Sequence, residues 1–341
     1  MADRIYQYDR QEGTQMAWHG KTEVKDVITL DDNWLRKWNP VPAELTKRGN
    51  VSKWRILECS DLPDVEIGQP YNPLTFQPID NTAFLELIRQ TLAGTDHKIT
   101  SVGSLRNRGR VFLSIELIGM EKFKAAGRNF GAYLNFGNGH DKSSVLWVNT
   151  SNTCTVCDNT FTCNLIQVEN KEQKVDDDNL RVAQRHTKNV ILRLPELAKL
   201  IDKAVGVQAE FQLEMDKLSE VACVSRTARE LFAGFVGRKV TVEARKNGLS
   251  TRAFNTVGKL VELYQTGRGN RGETLADTFS AVTDYYSHSS SGGDNVMRQG
   301  MSSDYGAGNL AKQEFWGTVR DYDRRLSTCA IGTELLVNTK D

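Results

Sequence analysis

The stretch "HKITSVGSLRNRGRVFLSIELIG", residues 97–119, decides the fold. In its second half Val111, Leu113, Ile115 and Leu117 alternate with Phe112, Ser114 and Glu116, the period of two that puts successive side chains on opposite faces of a strand. Residues 97–105 are a second extended run, and "RNRG" (106–109) between them carries the glycine of a tight turn. Two strands joined in this way predict a hairpin. The pattern recurs in "FGAYLNFGNG" (130–139) and "SSVLWVNTS" (143–151), with "GNGHDK" (137–142) as the connection. The prediction is a four-stranded antiparallel meander over about residues 98–150.

Outward from the meander the period changes to that of helices. In "DNTAFLELIRQTLAG" (80–94), Phe84, Leu87, Ile88 and Leu92 share one face, Asp80 or Asn81 caps the start and Gly94 ends it. "TCTVCDNTFTCNLIQV" (153–168) is expected to leave the sheet as a helix capped near Thr153 or Thr155. Later helices are expected in "LPELAKLIDKAVG" (194–206), begun by Pro195 and stopped by Gly206, and in "SRTARELFAGFVG" (225–237), where Thr227 and Glu230 have capping-box spacing. Two more carry the stripes Phe254, Val257, Val261, Tyr264 and Leu275, Phe279, Val282, Tyr286, and a last one starts near Leu310.

Most of the seven prolines fall before residue 80, so residues 1–80 read as an irregular N-terminal segment of short strands and turns wrapped on the core. The expected organisation is this segment, an α-β-β-β-β-α core at 81–170, and a helical C-terminal region at 171–341 with a Gly/Ser-rich loop at 287–309. Clustered strands followed by clustered helices make the class α+β rather than α/β.

With 44 Lys+Arg against 43 Asp+Glu in 341 residues, no global field attracts nucleic acid or an acidic partner, so such binding must come from local patches. The N-terminus lacks the apolar run of a signal peptide, and the six irregularly placed cysteines suit reduced thiols in a cytoplasmic protein. Cys154 and Cys157 have C-x-x-C spacing, Cys163 follows and His140 could be a fourth ligand, but a structural zinc site normally brings a second close pair. A packed, metal-free environment is expected for these thiols. Fingerprints of a P-loop, a nucleophile elbow, a zinc protease or a dinucleotide fold are absent from the sequence; neither a catalytic residue nor a nucleotide cofactor is expected.

Local charge is more informative. From Lys98 to Arg128 the cations are Lys98, Arg106, Arg108, Arg110, Lys122, Lys124 and Arg128, seven against Glu116 and Glu121, a net excess of five. Arg106, Arg108 and Arg110 have strand spacing, and Phe130, Tyr133, Phe136 and Trp147 are interleaved on the same sheet. Cations beside aromatic faces are the parts of a single-strand-binding groove; the competing reading is a core of aromatics with a solvated basic turn. A second excess lies at 238–271, where Arg238, Lys239, Arg245, Lys246, Arg252, Lys259, Arg268 and Arg271 face Glu243 and Glu262.

"NGHDKSS" (138–144), "CTVCDNTF" (154–161), "RHT" (185–187) and "LADTFSAVTDYYSH" (275–288) resemble, in that order, the phage/plasmid-like family of domain of unknown function 932, over about residues 80–320. The resemblance places the family's His-Asp turn on His140 and Asp141, its Cys-x-Asn-Thr on Cys157, Asn159 and Thr160, and its Arg-His-Thr on Arg185, His186 and Thr187. Lys142 stands where the family usually has Gly, and Cys154 where an Arg is common. The expected order of helix, meander and helix is also similar to the core of single-strand annealing proteins of the RecT/Red-beta kind, a likeness of fold alone.

These readings imply an oligomeric phage or plasmid protein, a ring or helical assembly in the host cytoplasm, that binds single-stranded DNA and promotes annealing or recombination without covalent chemistry. Lys98, Arg106, Arg108, Arg110, Lys122, Lys124, Arg128 and Arg185 would meet phosphates and Tyr133, Phe136 and Trp147 would stack bases. His140, Asp141, Cys157, Asn159 and Thr160 would hold the local geometry. The alternatives are a metal-dependent enzyme on nucleic acid, built from His140, Asp141 and His186, and a virion or host-interaction protein without DNA affinity.

Overall fold

A computed structural model describes residues 4–8, 23–25, 27–47, 50–117, 123–125, 127–142, 146–154, 160–163, 182–184, 186, 200–237, 250–289 and 307–337. The meander is present: β6 (His97–Leu105), β7 (Arg110–Leu117), β9 (Arg128–Gly139) and β10 (Leu146–Cys154) are antiparallel neighbours in that order. Among the described residues, further strands extend it to nine. At one edge β1 (Ile5–Tyr8) pairs with β6 and β2 (Glu23–Lys25) with β1, the latter pair parallel. The short β8 (Phe123–Ala125) folds back on β9, and β11 (Thr160–Cys163) and β12 (Val182–Gln184) both pair with β10.

The class is α+β as expected, but residues 160–163 are strand, where a helix over 153–168 was expected. β10 runs to Cys154, and Thr153 faces Thr160 in the ladder. The three-residue spacing of Cys154 and Cys157 suggested a helical face; the Thr- and Phe-rich composition favours the pleated alternative. The helix that completed the likeness to annealing proteins is therefore replaced by sheet at these positions.

The N-terminal segment is more regular than its prolines suggest. β3 (Pro40–Lys47), β4 (Asn50–Cys59) and β5 (Leu62–Tyr71) form a separate antiparallel sheet in the order β3-β4-β5. Pro40, Pro42, Pro63 and Pro70 all lie on its two outer strands, where a missing N–H breaks no central ladder. A 3-10 turn (Trp34–Lys37), capped by the Asn33 side chain, buries Trp34 and Leu35.

One apolar face of the meander, with Val111, Leu113, Ile115, Leu134, Phe136, Leu146 and Val148, joins Trp34, Trp38, Leu57, Ile67 and helix α1 (Asn81–Thr91) in a single core. Asp80 caps α1 through the Ala83 N–H, and Phe84, Leu87, Ile88 and Leu92 are buried as expected. The opposite face carries a buried polar ladder. Ser114 donates to Asn135 Oδ1 at 2.7 Å, and Asn135 Nδ2 donates to Asn149 Oδ1 at 3.1 Å and to Ser151 Oγ at 2.9 Å. A one-residue slip of any strand would strand these groups without partners, so the ladder fixes register.

A second core is helical: α2 (Leu200–Glu220), α3 (Ser225–Gly237), α4 (Thr251–Thr266), α5 (Leu275–Asp284) and α6 (Ala307–Val337). Helix α2 does not stop at Gly206, because Phe211, Met215 and Leu218 continue a buried stripe whose packing outweighs the roughly 1 kcal/mol that an interior glycine costs. Thr227 lies inside α3 and caps nothing; Glu230 instead pairs with Arg226 at 3.1 Å. The capping box is at Thr274–Asp277, at the head of α5. On α4, Phe254 is 63% exposed and Leu260 takes its expected place in the core. The expected loop at 287–309 starts inside a π-turn (Tyr285–Ser289) and ends inside α6; residues 290–306 lie outside the described residues. Phe130 of β9 meets Phe211 of α2 edge-on at 5.6 Å, which joins sheet and helices.

Candidate functional site

Three separate parts of the chain meet at one corner of the sheet: the β6–β7 turn, the turn after β9, and β5. The Gly109 carbonyl accepts from the His140 N–H at 2.7 Å and the Asp141 N–H at 3.1 Å. A Cβ on Gly109 would lie 2.8 Å from the Asp141 Cβ, and one on Gly68, already at φ +71°, would lie 2.6 Å from the Asp141 Cα. The two glycines thus let three backbones close on Asp141. Lys142, at φ +63°, donates its Nζ to the Pro70 carbonyl at 2.8 Å, and Asn107 Nδ2 donates to the Glu66 carbonyl at 3.2 Å.

The turn itself is strained. Arg106, Asn107 and Arg108 have φ of 58°, 56° and 64°, a run of left-handed non-glycine residues that each cost on the order of 1 kcal/mol and persist only when neighbours hold them. This conformation overturns the expectation that Arg106, Arg108 and Arg110 project together, because strand periodicity does not extend through the turn. Arg106 is exposed and Arg110 half-buried. Arg108 is 3% exposed, paired with Asp61 and held over the rings of Trp34 (5.0 Å) and Trp38 (4.8 Å). It is a structural cation, not a phosphate contact.

The aromatics expected to stack bases are also interior: Tyr133 is 1%, Phe136 0% and Trp147 9% exposed. Phe136 belongs to the main core, and the Trp147 indole lies flat against Gly137, where no Cβ fits. Lys98 is half-buried and faces Glu116 across the ladder. Lys124 and Arg128 lie on β8 and β9, Arg128 opposite Ala125. Lys122, Arg185, Cys157 and Asn159 fall outside the described residues, as do Arg238, Lys239, Arg245 and Lys246 of the second basic stretch.

What remains exposed at the corner is a smaller constellation. Burial, reinforced by the neighbouring Arg106 charge, lowers the Arg110 pKa, while Asp141 opposes the shift. Two cations are therefore close enough to repel. Lys142 is exposed and its Nζ lies 5.7 Å from the ring of Trp54, itself 40% exposed. Trp54 sits on β4, in the segment whose regularity the prolines mask, and no periodicity connects it to residue 142.

Behind the corner are two buried histidines. His140 Nε2 is 3.1 Å from Asn81 Oδ1, and Asn81 Nδ2 donates to the Trp38 carbonyl at 2.8 Å; the His140 ring is edge-on to Trp38. His186 Nδ1 is 3.2 Å from the Gln77 carbonyl, the Gln77 N–H donates back to the His186 carbonyl at 3.0 Å, and its ring stacks on Phe76 at 5.1 Å. Asn138 Nδ2 donates to the Ile79 carbonyl at 2.9 Å. Both imidazoles thus hang from the segment 76–81, and His140 secures the β9 turn to the start of α1. Desolvation lowers the pKa of His140 to about 3, with the His186 charge as a second cause. Desolvation likewise lowers His186 to about 4, against the Gln77 hydrogen bond and the Asp141 charge, which raise it. Charge coupling thus links His140 to His186 and His186 to Asp141.

Of the cysteines in question, Cys154 and Cys163 lie within the described residues and are apart along the sheet. Cys163 faces Thr150 in the ladder, four residues before Cys154, or about 13 Å along the strand at ~3.3 Å per residue, too far for these two to share one zinc ion. Among the described residues, no three His, Cys, Asp or Glu side chains are grouped to hold a metal, and no helix is long and apolar enough to cross a membrane.

A family model described as "Domain of unknown function (DUF932)" matches residues 74–322. No curated protein and no solved structure matches the chain.

Proposed function

The chain belongs to the domain of unknown function 932 family, and we propose that it binds single-stranded DNA at the corner formed by Arg106, Arg110, Lys142 and Trp54. The observation that carries the proposal is this grouping: exposed Arg106 beside half-buried Arg110, and Lys142 beside an exposed indole, all held by close-packed backbone. Cations track phosphates, and an exposed aromatic face takes a base without reading its identity. The strained turn supports the reading, since left-handed residues over-determined by their surroundings tend to occur at ligand clamps. Asp141 keeps the patch from being uniformly positive. Strand annealing by an oligomer in the cytoplasm of a phage- or plasmid-bearing host, without covalent chemistry, is the activity this reading assigns.

The test is the double charge reversal R106E/K142E. Both side chains are exposed; K142E also removes the hydrogen bond from Lys142 Nζ to the Pro70 carbonyl, so the fold should persist with stability lowered by about 1 kcal/mol. Single-strand affinity should fall roughly tenfold or more, and the slope of log K against log salt should shrink by about 1.4, at ~0.7 per phosphate contact. An unchanged affinity removes the assignment.

A further inference from the structure

We infer that a cavity between β1, the 3-10 turn and β6 is a pocket for one guanine base of the bound single strand, read by Asp32. The inference rests on the single-strand reading of the corner and adds a base-specific contact to it. The cavity encloses about 200 Å3, below the roughly 300–1,000 Å3 of sites for whole drug-sized ligands, a size for a single planar group. Its wall is aromatic: the rings of Tyr6 and Trp34 lie 6.0 Å apart, inclined at 48°. Buried Val102 lines it as well, and Val27, 70% exposed, adds an apolar side chain that the core does not use. Two charges complete the lining. Asp32 and Lys37 are both exposed, and among the described residues neither side chain has an ion pair or a hydrogen bond. The segment that carries Asp32 is nonetheless firmly held. Thr29 Oγ1 accepts from the Asp32 N–H at 2.8 Å, while Asn33 Nδ2 donates to the Thr29 and Leu30 carbonyls at 2.8 and 3.0 Å. The carboxylate is thus carried on a pre-organised backbone with its acceptor capacity unused.

A carboxylate accepts and cannot donate, so it selects a base edge that carries donors. Guanine presents two adjacent donors, N1–H and N2–H2, on its Watson–Crick edge, and these match the two carboxylate oxygens. Adenine and cytosine set a ring acceptor beside their amino group, and thymine has one N–H between two carbonyls. Each of these brings an acceptor against Asp32. In a duplex the guanine edge is already paired, so the pocket takes this base only from a single strand. The aromatic wall supplies stacking, and Lys37 supplies a cation for a phosphate of the same strand, which offsets the Asp32 charge. The position suits a strand seated on the corner. β6 carries Val102 at the cavity and ends at Leu105; exposed Arg106 follows, four residues from Val102, or about 13 Å at ~3.3 Å per residue. Trp34 is common to the cavity and to the Arg108 that anchors the same turn.

The experiment measures equilibrium binding of the full chain to an oligo-dT strand and to the same strand with one dG or one deoxyinosine at its centre. Wild type should bind the dG strand about tenfold more tightly than oligo-dT, as one bidentate base contact allows. Deoxyinosine lacks the N2 amino group, and its strand should lose most of that preference in wild type, a readout that needs no variant. In Asp32→Asn the ratio of dG-strand to dT-strand affinity should fall to about one. Equal affinity for the dG and dT strands in wild type, a deoxyinosine strand bound as tightly as the dG strand, or an undiminished ratio in Asp32→Asn would each overturn the inference and leave the corner reading standing. Calorimetric binding of dGMP without a dG preference on the strand would mark a free-nucleotide pocket and overturn it too. No binding of any strand would remove the corner reading and this inference together.

Discussion

Acidification should destabilise this protein through its two buried imidazoles. In the unfolded chain a histidine near pKa 6.5 is almost fully protonated at pH 5, whereas His140 and His186, at about 3 and about 4, remain neutral in the fold. The unfolded state then binds more protons, so stability falls as the pH falls below about 6.5, and the loss from each ring is complete only below its folded pKa. Between pH 7 and pH 5 each ring contributes a loss of about 1.8 kcal/mol. Asp284 works the other way. Desolvation raises its pKa to about 6, against Lys259 and Arg268, so the folded state gains a proton first and acidification stabilises by about 1 kcal/mol. The net expectation is a loss of roughly 2 kcal/mol, a large fraction of the ~5–15 kcal/mol that domains possess. Urea denaturation at the two pH values, with a chelator present, measures it, and His186→Phe should abolish most of the net loss. Equal stability at pH 7 and pH 5 in wild type, or an undiminished loss in the variant, would show that the buried imidazoles do not set the pH dependence.

Two further substitutions probe the parts that hold the corner. Arg108→Met removes the ion pair to the solvated Asp61 and the cation between Trp34 and Trp38; it should cost about 1–2 kcal/mol in chemical denaturation, unlike the exposed Arg106 two residues away. Gly137→Ala places a Cβ inside the Trp147 indole and should cost about 1–3 kcal/mol as overpacking, visible as a lowered melting temperature and altered tryptophan fluorescence.

The meander was legible because residues 110–117 and 130–151 alternate cleanly, and α1 because its apolar stripe and Asp80 cap agree. The three-stranded N-terminal sheet was hidden by prolines that are harmless on edge strands. β11 was hidden by a cysteine spacing compatible with either period. At the site, the charge count was informative but direction was not. Arg106 and Arg108 differ by two in sequence and point one to solvent and one to two tryptophans, since left-handed backbone carries no strand period. Aromatic content likewise does not distinguish a stacking platform from a core, and Tyr133, Phe136 and Trp147 proved to be core. Trp54 reaches Lys142 only through tertiary packing. The motif resemblance, by contrast, singles out His140 and His186, and the fold ties both to the segment 76–81.

The most direct measurement is equilibrium binding of a fluorescent single-stranded oligonucleotide and of its duplex, each across a salt series. Base stacking on Trp54 predicts preference for the single strand, and phosphate contacts by Arg106, Arg110 and Lys142 predict log K falling by about 2 per decade of salt and affinity by roughly 20-fold between 50 and 200 mM. No binding at low salt, or binding indifferent to both strandedness and salt, would contradict the account.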